Sequence, residues 1–169
     1  FSLALGTANL TPLEVASGYT VFANGGYRVQ PYLITRIDDR DGNTLFRANP
    51  PRVPEARPAA VQTTAEVPGE SPAQAERVMD ARTAYIMTSM LQDVIKRGTG
   101  RRALALGRGD LAGKTGTTHE SKDSWFSGYN ADLVTTVWSG FDQPASLGRN
   151  EYGGTVALPI WKSFMGEAL

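Results

Sequence analysis

Between Asp110 and Phe141 the chain carries three segments of β-type sequence, Asp110 to Thr118, Trp125 to Asn130 and Leu133 to Phe141. The links between them are too short for the crossover that parallel neighbours need. The last two meet across Asn130-Ala131-Asp132, which offers only a tight turn. This stretch therefore predicts an antiparallel sheet. An apolar closing segment, with Leu158, Ile160, Trp161, Phe164 and Met165, predicts a terminal helix starting near Pro159 and packing on that sheet.

The first half mixes helix and strand signals. Thr11 as N-cap, Pro12 at the first helical position and Glu14 closing a capping box predict a helix that ends at Gly25-Gly26, with Val15, Tyr19, Val21 and Phe22 on its buried face. Leu33 to Ile37 and Thr44 to Phe46, separated by Asp41-Gly42, read as a β-hairpin. From about 49 to 76, Pro50, Pro51, Pro54, Pro58, Pro68 and Pro72 oppose regular structure, which predicts a mobile loop or insertion. Asp80 then caps a second helix with Ala84, Met87, Leu91 and Val94 at helical spacing and a Lys96-Arg97-Gly98 stop. The class is α+β.

Composition narrows the partners. Seventeen basic residues balance seventeen acidic ones, and no dense Lys/Arg stripe is present, which argues against nucleic acid. The longest apolar runs, Phe1 to Leu5 and Thr155 to Trp161, fall far short of the roughly 20 residues a membrane-spanning helix needs, so no membrane contact by this segment is expected. Phe1 has no basic flank and no cleavage site beside it, and any targeting signal is expected upstream. Zero cysteines exclude disulfides and thiolate metal sites, and a single histidine argues against a His-based metal cluster. Neither a metal nor an organic cofactor is implied.

The chemistry is concentrated in Lys114-Thr115-Gly116-Thr117, inside a predicted strand. Taken alone, a K-T-G triplet is better explained as a surface lysine before a β-turn. On a strand edge, however, it presents an ammonium, two hydroxyls and a backbone N–H to an extended peptide ending in a carboxylate. The period-two pleat puts Thr115 and Thr117 on one face. Gly116 between them lets a ligand or another backbone come close.

Residues downstream of the triplet sharpen the reading: Lys122-Asp123-Ser124-Trp125-Phe126-Ser127-Gly128-Tyr129, Val137-Trp138-Ser139-Gly140-Phe141-Asp142, then Pro159-Ile160-Trp161. With the opening Ala4-Leu5-Gly6-Thr7-Ala8-Asn9-Leu10-Thr11-Pro12-Leu13-Glu14, this order resembles the large bifunctional (class A) penicillin-binding proteins. The resemblance covers nearly the whole chain outside the Pro-rich stretch. It implies a penicillin-binding protein or serine β-lactamase-like transpeptidase fold, of which residues 1–169 would form the C-terminal part. Such proteins sit on the periplasmic face of the bacterial inner membrane, polymerise glycan with one domain and cross-link stem peptides with another. K-T-G belongs with S-x-x-K and S-x-N in their signature set. Carried over, Lys114 would tune proton transfer at the serine, Thr115 and Thr117 would bind the terminal carboxylate of D-Ala-D-Ala, and the Thr117 N–H would supply half of an oxyanion hole. β-Lactam antibiotics would be covalent inhibitors.

One departure is plain. No serine here is followed by a lysine three residues later, so the nucleophile is expected upstream, and the segment is not expected to fold well alone. Thr7-Ala8-Asn9 superficially resembles S-x-N but reads as a structural turn. His119 reads as an exposed loop residue, Glu14 as a cap, and Asp123 and Trp125 as ordering the loop and the core, with Lys122-Asp123 at the border of the groove. Two rivals remain: a β-lactam hydrolase of the same fold, and a non-catalytic peptidoglycan-binding sensor.

Overall fold

The computed structural model describes residues 8–54 and 73–169. Phe1 to Thr7 and most of the Pro-rich stretch lie outside the described residues, so the insertion expected there stays an expectation. In chain order the elements are α1 (Pro12–Ala23), β1 (Tyr27–Arg28), β2 (Arg36–Asp38), β3 (Thr44–Arg47), β4 (Glu76–Arg77), α2 (Ala81–Arg97), β5 (Ala112–Thr117), β6 (Asp123–Tyr129), β7 (Val134–Gly140) and α3 (Ala157–Ala168). Short 3-10 turns cover Arg101–Leu106 and His119–Ser121.

The central sheet is antiparallel in the order β5-β6-β7, as the short links require. Asn130 makes the β6–β7 turn. Its buried side-chain oxygen accepts from the N–H groups of Asp132 (3.0 Å) and Leu133 (2.8 Å), an Asx turn that mimics a backbone one. Its amide reaches Asp110 at 3.3 Å. Arg108 grips the same carboxylate and holds it below the usual carboxylate range, which ties down the entry to β5.

Cross-strand partners share a face, so the register sorts the sheet into two sides. Thr115, Phe126 and Val137 align on one side, and Ala112, Tyr129 and Val134 on the other. α3 covers the first. The rings of Trp161 and Phe126 meet edge to face at 4.9 Å, the Trp161 indole N–H donates to the Gly128 carbonyl at 3.4 Å, and Leu158 and Met165 complete a fully buried cluster with Leu111 and Ile95. α1 and α2 cover the Tyr129 end of the second side through Tyr19, Phe22 and Leu91. Burial raises the phenol pKa of both Tyr19 and Tyr129.

The caps form as read. Thr11 Oγ1 accepts from the Glu14 N–H at 3.3 Å, while the Glu14 carboxylate accepts from the Thr11 N–H at 2.7 Å; the latter bond holds the carboxyl below its ordinary range. Asp80 caps α2 through the Arg82 N–H at 2.9 Å. α3 begins at Ala157, two residues before Pro159, which sits in the first turn where its missing donor is not needed.

Other expectations are corrected. None of the α1 residues is fully buried, because its apolar face is covered only in part by α2 and the sheet. In α2 it is Ile95, not Val94, that joins the core, while Gly98 ends the helix as expected, with its backbone extended. The hairpin forms, but its first strand is only Arg36–Asp38, bulged opposite β3, and Leu33 is 93% exposed. Asp39 builds its turn by accepting from the N–H groups of Asp41 and Asn43.

The ends of the Pro-rich stretch are paired: Arg52 bridges Gln74, and Glu76 already lies in β4 against β1. That pairing needs Gly26. Its φ is +107°, its carbonyl accepts from Val78 and Met79, and a Cβ there would lie 2.1 Å from the Met79 carbonyl oxygen.

Trp161→Ala should lower stability by about 3–5 kcal/mol, read as the shift in a thermal or urea unfolding curve, because nothing else can fill the space between α3 and β6. An unshifted curve would contradict the packing described.

Candidate functional site

β5 is an edge strand, paired on one side to β6. The phase of that pairing decides what the edge offers. The Thr118 N–H donates to the Asp123 carbonyl at 3.1 Å. Hydrogen-bonded and non-bonded pairs alternate along an antiparallel ladder, so Thr117–Ser124 and Thr115–Phe126 are non-bonded pairs. The N–H and C=O groups of Thr115 and Thr117 therefore point out of the sheet, along the free edge. The Lys114 ammonium folds over that edge and donates to the Thr115 carbonyl at 2.9 Å.

Lys114 and Gly116 belong to the face opposite α3, with Trp125, Ser127 and Trp138. Lys114 is exposed there, and Trp125 is half-buried, so Trp125 is not the core residue expected; its ring packs against Trp138 at 6.2 Å. Thr115 and Thr117 share the α3 face, as the pleat predicts.

Two loops hold the threonines. The turn after α2 brings Thr99 Oγ1 to 2.7 Å from Thr115 Oγ1. The segment before α3 brings the Gly153 N–H to Thr117 Oγ1 at 3.1 Å. Arg102 joins the two by donating to the Gly154 carbonyl at 3.2 Å. Gly153 lies flat on the strand: a Cβ there would stand 2.3 Å from the Trp125 carbonyl oxygen and 2.7 Å from that of Gly116. Thr99, Arg102 and Gly153 were not legible as site residues. Thr99 and Gly153 reach the strand by tertiary contact over 16 and 36 positions, Arg102 reaches Gly154 over 52, and the only local sign is the glycine density around them.

Beyond Thr117 the chain makes a tight turn. Glu120 and Ser121 adopt positive φ of 60° and 53°, an uncommon conformation for residues with a Cβ. Lys122 pairs with Glu120 at 2.8 Å and holds that carboxyl below its ordinary range. His119 is exposed in this turn, as expected. Asp123 accepts from the Thr118 hydroxyl at 3.0 Å and from the Trp138 indole N–H at 2.9 Å, so it orders the loop as read. Ala8 and Asn9 are exposed ahead of the capped helix, away from this constellation in sequence, and Thr7 lies outside the described residues. No group of three or more metal-ligating side chains and no helix long and apolar enough to cross a membrane occurs among the described residues.

An outward amide, two hydroxyls and an ammonium on one strand edge can bind an extended peptide, a carboxylate and a developing oxyanion together. The edge holds no serine to attack one.

Gly153→Ala should destabilise the fold by about 1–3 kcal/mol, because the added methyl meets backbone that cannot rotate away. Thermal unfolding reads this directly, and an unchanged midpoint would mean the loop does not lie on the strand.

Comparison with known proteins identifies the family and the fold. The family model described as the penicillin-binding protein transpeptidase domain matches residues 1–166. Penicillin-binding protein 1A of Pseudomonas aeruginosa is 61% identical over 196 aligned residues, covering 100% of this chain and 24% of that protein. The chain thus spans about a quarter of that relative's length. Among solved structures, penicillin-binding protein 1A from Haemophilus influenzae superposes with a TM-score of 0.87 at 38% identity, over 99% of this chain and 28% of that one. The imipenem acyl-enzyme complex of penicillin-binding protein A from M. tuberculosis shares the fold, with a TM-score of 0.64 at 18% identity, over 95% of this chain and 32% of that one.

Proposed function

Because the chain belongs to the penicillin-binding protein transpeptidase family, we propose that it forms the substrate-binding wall of a peptidoglycan D,D-transpeptidase whose nucleophilic serine lies in an upstream part of the same protein. The observation that carries this is the outward Thr117 N–H, flanked on one edge strand by the hydroxyls of Thr115 and Thr117.

The reaction is acyl transfer. The serine oxygen attacks the carbonyl carbon between the two D-Ala residues, and the carbonyl oxygen takes up negative charge against the Thr117 N–H, one half of the oxyanion hole. A preorganised donor of this type typically stabilises the transition state by about 2.7–4 kcal/mol. The tetrahedral intermediate collapses by breaking the peptide bond; D-Ala leaves with the serine's proton on its amine. The amine of a neighbouring stem peptide then attacks the acyl-serine, forms the cross-linking amide and returns a proton to the serine. Thr115 and Thr117 bind the terminal carboxylate, and Gly116 lets the peptide lie close to the strand. The positive charge of Lys114 tunes proton transfer around the serine.

A β-lactam mimics the first step and stalls as an acyl-enzyme, the species named for the M. tuberculosis protein of the same fold. The named relatives are penicillin-binding proteins, which favours cross-linking over the β-lactam hydrolase and the non-catalytic sensor. The complete protein is then a membrane-anchored bifunctional glycosyltransferase and transpeptidase at the periplasmic face, with stem peptides as substrate.

Intact-mass measurement on the complete protein tests the reading. Incubation with a penicillin should add one long-lived acyl group, and Lys114→Ala should slow that addition by about a hundredfold or more, the scale of a lost proton-transfer aid. A complete protein that gains no adduct would refute it.

A further inference from the structure

Each strand hydroxyl is held from behind by a different loop, and the two arrangements have a common result. The Gly153 amide can only donate, so Thr117 Oγ1 accepts from it at 3.1 Å and keeps its own proton for another partner. Thr115 Oγ1 and Thr99 Oγ1 lie 2.7 Å apart, where either can donate. Thr99 is fixed in place: the flanking Gly98 and Gly100 N–H groups both donate to the Val94 carbonyl, at 3.1 and 2.9 Å, and Arg102 ties the following turn to Gly154.

We propose that Thr99 is a positioning residue for the carboxylate site: it donates its hydroxyl proton to Thr115 and thereby turns the Thr115 proton outward, toward the terminal carboxylate of the substrate. This rests on the transpeptidase reading above. A hydroxyl that donates to an anion becomes a better acceptor, so an approaching carboxylate itself selects the chain Thr99 to Thr115 to carboxylate. Thr115 and Thr117 then face the anion alike, each with its acceptor side occupied and its proton free. The class of ligand selected is a carboxylate; a neutral group in the same place gains less from two aligned donors.

The experiment uses the complete protein and measures acylation rates with a penicillin and with the methyl ester of the same penicillin, which lacks the anion. Thr99→Val keeps the shape and removes the hydroxyl; Thr99→Ser restores it. The expected result is acylation by the free acid slowed about five- to tenfold in Thr99→Val, the scale of one lost hydrogen bond, with the ester rate unchanged and the acid rate recovered in Thr99→Ser. Partial misfolding would slow both compounds alike, so the ratio of acid to ester isolates the positioning effect. Equal slowing of both, no slowing, or no rescue by serine overturns the proposal. Should Thr117→Val discriminate acid from ester while Thr99→Val does not, the role of Thr99 alone is refuted. A wild-type protein that is never acylated refutes the transpeptidase reading, and this inference with it.

Discussion

The phase of the β5–β6 ladder governs everything the edge strand can do. With the Thr118 N–H bonded to the Asp123 carbonyl, the amides of Thr115 and Thr117 fall on the outward beat. A slip of one residue would turn the Thr117 N–H into the sheet and send both threonines to the opposite face. The register therefore decides which groups the free edge presents. Several contacts hold it. Phe126 is locked under Trp161, the Ser124 hydroxyl accepts from the Ala157 N–H at 3.3 Å, and Asp123 is held by Thr118 and Trp138. α3 thus acts as a clamp on β6, and β6 sets β5.

A second layer of control comes from loops that never enter the strand. The turn after α2 and the segment before α3 converge on β5, are tied to each other by Arg102, and supply a partner to each threonine hydroxyl. Core packing places these loops: Ile95 at the end of α2, Ala103 in the following turn, and Ala157 and Leu158 at the start of α3 are all in the cluster around Trp161. Removing core volume is therefore expected to disturb hydroxyl orientation before it unfolds the sheet. Side chains at a preorganised site keep their geometry only through such support.

How much was legible in the sequence followed the range of the interactions involved. The Thr11–Glu14 capping box, the Asp80 cap and the Asn130 turn are set by neighbours within four positions and were read correctly. The antiparallel pairing of the sheet was expected from the short links, and the expectation for Lys114, Thr115, Gly116 and Thr117 came from one motif. The short β1–β4 pair, with partners about fifty positions apart, left no such trace, nor did the burial of Ala103 in a 3-10 turn. Apolar patterning also overstated burial. Leu33 and Leu45 support strand sequence but stay exposed, and α1 keeps its apolar face half-covered, because patterning marks which side is apolar and not whether anything lies against it.

The most direct test is a crystal structure of the complete protein acylated by a penicillin. The acyl carbonyl oxygen should lie about 2.7–3.1 Å from the Thr117 nitrogen, with the penicillin carboxylate within hydrogen-bonding reach of the Thr115 and Thr117 hydroxyls. An acyl oxygen held by other donors, or a carboxylate turned away from β5, would contradict it.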